Sequence, residues 1–221
     1  VKPVQSDAGT LGKVIWVAGH SGPETADDSR THFGIYAPGV TQMFPKGQVI
    51  NLHPWEYNEV PVVLGAALKQ DVPILALHLT RPAVELPDRE KLGMPSYLEA
   101  AKGAYVVRDY TPGKPKGGTV IVQGTSAMAN MVKVLPEFDA RGLNVKVVCA
   151  VSPELFALQP ADYQNNVLSA ADKVDSTVIT TQARWLMHEW LFNKTAEEYA
   201  LSADWDDRWR TGGNLEEVID E

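Results

Sequence analysis

Cysteine is almost missing from this chain. Cys149 is the single one in 221 residues, which excludes an intrachain disulfide. It sits in the apolar run 145–151, so a buried, inert thiol is expected there rather than a nucleophile. No apolar stretch is long enough to cross a bilayer, and no secretory signal is recognisable. The expectation is a cytoplasmic protein that makes no use of a membrane. Positive charge is also scarce. Lys and Arg number 20 against 28 Asp and Glu, a net charge of −8, and the charges are spread rather than blocked. Non-specific nucleic-acid binding, which needs clustered Lys and Arg, is disfavoured. Small anionic substrates are not, because a few local His and Arg side chains can reverse the field inside a pocket. There are no internal repeats and no low-complexity tracts. The chain lacks an initiating Met and finishes on a helical pattern with no stop signal, so it reads as a fragment of something longer.

What is present is an alternation of short β-branched runs with helix-like stretches, the pattern of parallel α/β layers. Residues 13–18, 48–52 and 73–79 read as strands. A helix is predicted over 59–70, with Asn58 as its N-cap and Pro61 tolerated in its first turn. Residues 80–104 lose this rhythm under Pro82, Pro87, Gly93, Pro95 and Gly103, and a domain boundary is expected at 98/99. The pattern restarts at 105–107. Strand 119–123 follows, then a helix to about Arg141 closed by Gly142, strand 145–151, helical pieces near 153–158 and 162–168, and strand 174–181. The fold class expected is α/β: two consecutive three-layer α/β/α domains with mainly parallel sheets, over 1–98 and 99–221.

Chemistry concentrates in the loop 19–32. His20, Asp27, Asp28 and His32 lie there among Gly, Ser, Pro and Thr, directly after a predicted strand, where open α/β sheets place their ligands. Imidazoles bond hydroxyls and phosphates and change charge near neutral pH, and a carboxylate selects hydroxyls by accepting their protons. Together these groups suit a polyhydroxylated, phosphorylated small molecule. The same residues also admit a turn capped by Asp27 or Asp28 with both rings solvated. A metal site is a third reading, although the spacing matches no metal motif. Arg81 follows a buried strand and is placed to hold a phosphate or carboxylate bidentately, or else to pair with Glu85 or Asp88. His53 and Glu56 are read as caps, His78 as a satisfied structural histidine, and His188 as packing in a Trp-rich stretch. Gly124-Thr125-Ser126 before a helix is similar to an anion-binding turn.

Loop 19–32 resembles the transketolase signature, a His followed by an acidic pair and then Gly-Pro-Thr-His. His20, Asp27-Asp28 and Thr31-His32 keep that spacing, while Ser29-Arg30 replace Gly-Pro and Phe33 stands where Gln is common. Further pieces are similar in the same order. Pro73-Ile74-Leu75-Ala76-Leu77 and then Arg81 resemble the family's Pro-Ser-Ile-Leu-Ala-Leu-Ser-Arg, with about two residues inserted. Lys102-Gly103-Ala104-Tyr105-Val106 resembles its Gly-Gly-Tyr-Val, Gly124-Thr125-Ser126 its Gly-Thr/Ser-Gly-Ser-Glu turn, and Ser152-Pro153-Glu154-Leu155-Phe156 with Gln159 and Tyr163 its Ser-Trp-Glu-Leu-Phe…Gln…Tyr. The final fifty residues depart most from the family.

The resemblance implies part of a thiamine-diphosphate enzyme of the pentose phosphate pathway, a transferase that moves a two-carbon ketol unit between sugar phosphates. On this reading 1–98 is the latter part of the pyrimidine-binding domain and 99–221 most of the C-terminal domain. His20 and His32 are the implied catalytic residues. His20, Asp28, His32 and Arg81 are the implied substrate-binding residues. The thiamine diphosphate and Mg2+ (or Ca2+) of the full enzyme have their main ligands outside this chain, so no metal-binding residue is assigned within it. This piece alone is expected to be inactive, and its partners are a missing N-terminal region or a second subunit of a homodimer. The alternatives are another thiamine-diphosphate enzyme, a phosphoketolase or 2-oxoacid dehydrogenase component, or a non-catalytic module of this fold.

Overall fold

Two sheets of short strands, each flanked by helices, make up the chain. The computed structural model describes residues 12–19, 34–80 and 83–204. The first sheet holds β1 (Val14–Ala18), β2 (Val49–Leu52) and β3 (Ile74–His78) in the order β1-β3-β2, all parallel. Parallel neighbours need a crossover, and α2 (Glu59–Leu68) supplies the one between β2 and β3, after the single turn α1 (Gly39–Gln42) that precedes β2. β2 is buried at every position, as expected of a strand covered on both faces. β1 lies at the edge, with Val14, Ile15 and Val17 exposed.

The second sheet has the order β4-β6-β5-β7, from β4 (Ala104–Arg108), β5 (Thr119–Gln123), β6 (Lys146–Ala150) and β7 (Ser176–Thr180). β5 runs parallel to both β6 and β7, while β4 is antiparallel to β6. The antiparallel edge strand goes beyond the sequence expectation, and a mainly parallel α/β architecture results. α3 (Thr125–Ala140) presents Ala127, Met128, Met131, Val132 and Leu135 as one buried stripe. Gly142 closes it at φ +69°, a conformation open to glycine at little cost. The helices after β6 carry their own start signals. Ser152 Oγ accepts from Leu155 N at 3.2 Å at the head of α4 (Pro153–Ala157). A reciprocal Ser169–Asp172 capping box opens α6 (Ala170–Val174), which follows α5 (Ala161–Val167). Asn193 Oδ1 accepts from Ala196 N at 2.7 Å at the head of α7 (Lys194–Glu198).

The sheets share one core. Ile50, Leu52, Trp55, Val63 and Leu75 from the first pack in the same cluster as Val122, Met128, Val147 and Leu155 from the second. Main-chain bonds cross the seam as well, with His53 N donating to Val151 O at 2.7 Å. The Pro/Gly-rich stretch contributes to this packing. Residues Tyr97–Lys102 form a 3-10 turn, and Gly103 (φ +84°) passes so close to α4 that a Cβ there would lie 2.3 Å from Phe156 N.

Asn58 does hold the N-cap position of α2, but its side chain makes no capping bond. Glu59 Oε2 accepts from Trp55 N, which lies upstream of the helix, at 3.2 Å.

Candidate functional site

The carboxyl ends of β1 and β3 lie side by side. Ala18 is in register with His78, and Leu79 N donates to Ala18 O at 2.8 Å. Both segments singled out in the sequence depart from this pair of strand ends: His20, Asp28 and His32 follow β1, and Arg81 follows Thr80. All four residues lie outside the described residues, so their side chains have no place in the geometry below.

What the same sheet edge does show is a buried polar cluster. His53, just past β2, and His78, ending β3, stack with ring centroids 4.5 Å apart and 11° between planes. Both are 3% exposed. His53 is therefore not a helix cap, whereas His78 is the satisfied structural histidine expected. Trp16 meets the His78 ring edge-on at 5.7 Å. Burial, and then the neighbouring His78, hold His53 well below the usual imidazole range. Burial alone pulls His78 down to about 4. Both rings are neutral at pH 7.

Hydrogen bonding fixes which nitrogen carries each proton. Asn51 Nδ2 donates to Glu154 Oε1 at 2.8 Å, which turns Asn51 Oδ1 toward His78 Nε2 at 3.2 Å. An amide oxygen only accepts, so His78 is protonated on Nε2. Thr41 Oγ1 donates to the same oxygen. On the other side, Gln123 Nε2 donates to Gln182 Oε1 at 3.1 Å, leaving Gln182 Nε2 facing His53 Nδ1 at 3.4 Å. His53 Nδ1 is thus an acceptor and its proton is on Nε2. Glu154 is raised by burial. It is opposed by Asn51, which donates through its backbone N (3.1 Å to Oε2) as well as Nδ2, and by Ser152 Oγ at 3.2 Å.

Of these side chains Thr41, Asn51, His53, Gln123 and Glu154 line a cleft of about 190 Å3 between the two sheets, as do Leu186 and Trp190. The arrangement can accept and donate hydrogen bonds to a small polar molecule. Among the described residues no three His, Cys, Asp or Glu side chains gather to hold a metal ion.

A second buried cluster ties the strand-poor stretch to both sheets. Arg89 donates through Nε to Glu56 Oε1 (3.2 Å), and through Nη2 to Glu59 Oε1 (3.0 Å) and Tyr105 OH (3.2 Å). Its Nη1 donates to Pro95 O at 2.9 Å. Tyr105 OH donates to Glu59 Oε1 at 2.6 Å and accepts from Trp55 Nε1 at 2.9 Å. Burial raises Glu59 to about 7, against the pull of Tyr105, Trp55 and Arg89. Burial also pushes the Tyr105 hydroxyl and the Cys149 thiol well up, so Cys149 is the inert thiol its sequence context implies. Glu56 is a partner of Arg89 rather than a cap.

Sequence reasoning missed Asn51, Gln123, Glu154 and Gln182, and the Arg89–Glu59 pair. The available signal was a polar residue inside an otherwise apolar strand (Val-Ile-Asn-Leu and Thr-Val-Ile-Val-Gln), since a buried amide must find partners. His188, expected to pack in a core or an interface, is exposed on this chain and lies against Trp185 at 5.5 Å between ring centroids.

Comparison with known proteins places these features in a wider group. Residues 103–203 match the family described as the transketolase-like TK C-terminal domain. A transketolase of Aquifex aeolicus is 32% identical over 156 residues, 71% of this chain and 22% of the relative. A Pichia stipitis transketolase solved with sedoheptulose 7-phosphate superimposes on 93% of this chain and 27% of its own, with a TM-score of 0.67 at 20% identity. The inactive β4 tetramer of a split-gene transketolase covers 86% of this chain and 55% of its own, with a TM-score of 0.51 at 15% identity. This chain spans 22% of the length of the Aquifex relative.

Proposed function

The chain belongs to the transketolase-like proteins, residues 103–203 being a C-terminal domain of that family, and from this premise we propose that it is part of a thiamine-diphosphate-dependent transferase that moves a two-carbon ketol unit between sugar phosphates. The single observation that carries this reading is the pairing of the ends of β1 and β3. It starts the loop bearing His20, Asp28 and His32 and the segment bearing Arg81 from adjacent positions on the ligand-binding edge of a parallel sheet.

In the proposed roles, Arg81 grips the substrate phosphate through its planar fork. Asp28 accepts from the hydroxyl beside the reacting carbon. His20 and His32 bond the sugar oxygens and are the proposed catalytic residues. Arg30, where the family has Pro, adds a cation beside the pocket that favours a different anionic substrate. The division at 98/99, with a pyrimidine-binding segment before it, belongs to the same proposal. Bound thiamine diphosphate supplies the carbanion chemistry. Its divalent cation, Mg2+ or Ca2+, does not fit the described residues of this chain: no three acidic, imidazole or thiol side chains gather among them, and Glu154 and Glu59 are held by Asn51 and Arg89. Those ligands come from the rest of the enzyme, either a region preceding this chain or a second subunit. This segment alone is therefore inactive. The split-gene transketolase chain, of which this chain covers 55%, is inactive as a β4 tetramer, which supports that expectation. The reaction belongs to the pentose phosphate pathway, and we place the enzyme in the cytoplasm.

The test is a donor assay on the intact protein with xylulose 5-phosphate and an aldose-phosphate acceptor. Glyceraldehyde 3-phosphate with a lengthened ketose product is the expected result. Acetyl phosphate in place of the lengthened ketose would reassign the enzyme to phosphoketolase chemistry, and no turnover with any donor would leave a non-catalytic module.

A further inference from the structure

Two deeply buried side chains each keep one polar atom open to the cleft between the sheets. His53 and Gln123 line it and are 3% and 2% exposed. His53 Nδ1 faces Gln182 Nε2, and Gln123 Nε2 donates to Gln182 Oε1, which holds both side chains in place. That leaves His53 Nε2–H as a donor and Gln123 Oε1 as an acceptor, neither with a partner among the described residues. Unlike Gln42 Oε1 and Trp190 Nε1, which are sealed inside the fold, these two atoms retain accessible surface. A polar atom desolvated on most sides and still unpaired is a prepared contact for a ligand. The charges around them are of both signs. Lys46, exposed and without an ion-pair partner among the described residues, lines the cleft from the segment before β2. Glu154 lines it from α4, and its Oε1 accepts only from Asn51 Nδ2. Glu189 is shared with His188, whose Nε2 lies 3.6 Å from its Oε1.

We propose that this inter-sheet cleft is a binding site for a small zwitterionic α-amino acid. The ligand carboxylate accepts from His53 Nε2–H and from Lys46, and its ammonium donates to Gln123 Oε1 and Glu154 Oε1. Charge decides between ligand classes. A simple anion is drawn to Lys46 but repelled by Glu154 and by the amide oxygen of Gln123. A simple cation meets the reverse, and a neutral molecule leaves Lys46 and Glu154 without a matching charge. Only a short molecule carrying both charges answers the two donors and the two acceptors together. The volume of about 190 Å3 corresponds to about six liquid-water shares, which suits alanine or a residue little larger and excludes a nucleotide. His53 follows β2 of the first sheet and Gln123 ends β5 of the second, so an occupant stabilises the two sheets in their present arrangement. The inference stands on these side chains alone and is independent of the ketol-transfer reading.

The experiment is a titration of the intact protein, isotope-labelled at histidine, with L-alanine, following the His53 Nε2 resonance by NMR. A single saturable shift is expected. Propionate lacks the ammonium and ethylamine lacks the carboxylate, and each should bind at least about tenfold more weakly, the scale of lost hydrogen bonds to charged groups. Lys46→Gln removes the exposed cation, leaves the buried core untouched and should weaken alanine about fivefold. Ala157→Trp fills the cleft from an exposed lining position and should abolish the saturable shift. Linear shifts without saturation, propionate or ethylamine binding as tightly as alanine, or a curve that Ala157→Trp leaves unchanged would overturn the assignment.

Discussion

Arg89 is the cation on which two buried carboxylates depend, and replacing it with Met tests that dependence. Its side chain is 10% exposed, against 1% for Glu56 and 0% for Glu59. Met keeps most of the volume and deletes every one of the guanidinium bonds. Removing one partner of a buried ion pair costs about 3–5 kcal/mol when the remaining charge stays ionised. The remaining charge has an escape, which is to take a proton. At pH 5.5 that costs Glu56 about 1.4 kcal/mol relative to an unfolded value of 4.5, while Glu59, raised to about 7, already carries its proton. At pH 8 it costs about 4.8 kcal/mol each, more than remaining ionised.

The sign follows from proton counts. Glu59 is raised to about 7 in the native protein and Glu56 is raised as well, each chiefly by burial. The native state therefore binds more protons than the unfolded state above pH 4.5, and stability contributed by these groups falls as pH rises through the folded values. Loss of Arg89 raises both further and steepens that fall. The His53–His78 pair, whose depressed values act with the opposite sign, is present in both proteins and cancels in the difference. Arg89→Met is thus expected to cost about 4 kcal/mol at pH 8 and about 2 kcal/mol at pH 5.5. Urea unfolding followed by Trp fluorescence at the two pH values measures it. An equal loss at both, or less than about 1 kcal/mol at pH 8, would refute the view that Arg89 offsets buried negative charge.

Gly103→Ala places a Cβ 2.3 Å from Phe156 N and 2.4 Å from Ser152 O at φ +84°, so it should lower stability by at least about 3 kcal/mol, read as a fall in Tm. Asp172 is held below its usual range by Lys146 (3.0 Å) and the Ser169 capping bonds, which outweigh its burial. A depressed carboxylate stabilises above its unfolded value of 3.8 and loses that contribution as pH falls through its folded value. Asp172→Asn should therefore cost about 2 kcal/mol at pH 7 and far less near pH 3, measured by denaturant midpoints. In the intact enzyme, Asp28→Ala should reduce kcat/KM about a hundredfold for 2-hydroxylated acceptors and much less for acceptors lacking that hydroxyl, a difference that vanishes if Asp28 does not read it.

The strand segments were legible because they are short β-branched runs with no competing signal. β1, β2, β3, β5 and β6 each lie within the predicted range. α3 was legible from its apolar stripe and from Gly142. The antiparallel β4 was not, because direction is set by pairing with β6 and leaves no mark on Ala104–Arg108 itself. The short helices α6 and α7, five residues each, were not read from the sequence. Stretch 80–104 looks like a linker in composition. One side chain that anchors it, Arg89, has partners 30 and 33 residues earlier and 16 later, a relation no local window contains. The cleft was equally hidden, since Asn51 and Glu154 meet across 103 residues.

The bond from His53 N to Val151 O, and the core that Ile50 and Leu52 share with Val147 and Leu155, give the polypeptide a property its covalent order conceals. The exposed loop 111–117 lies between these partners in the chain. A backbone cut there leaves those contacts in place and falls beside the bonds that tie Thr111 and Lys114 to Asn144. Two polypeptides split at that loop should reassemble by complementation, so the connecting peptide is a convenience of synthesis rather than a strut.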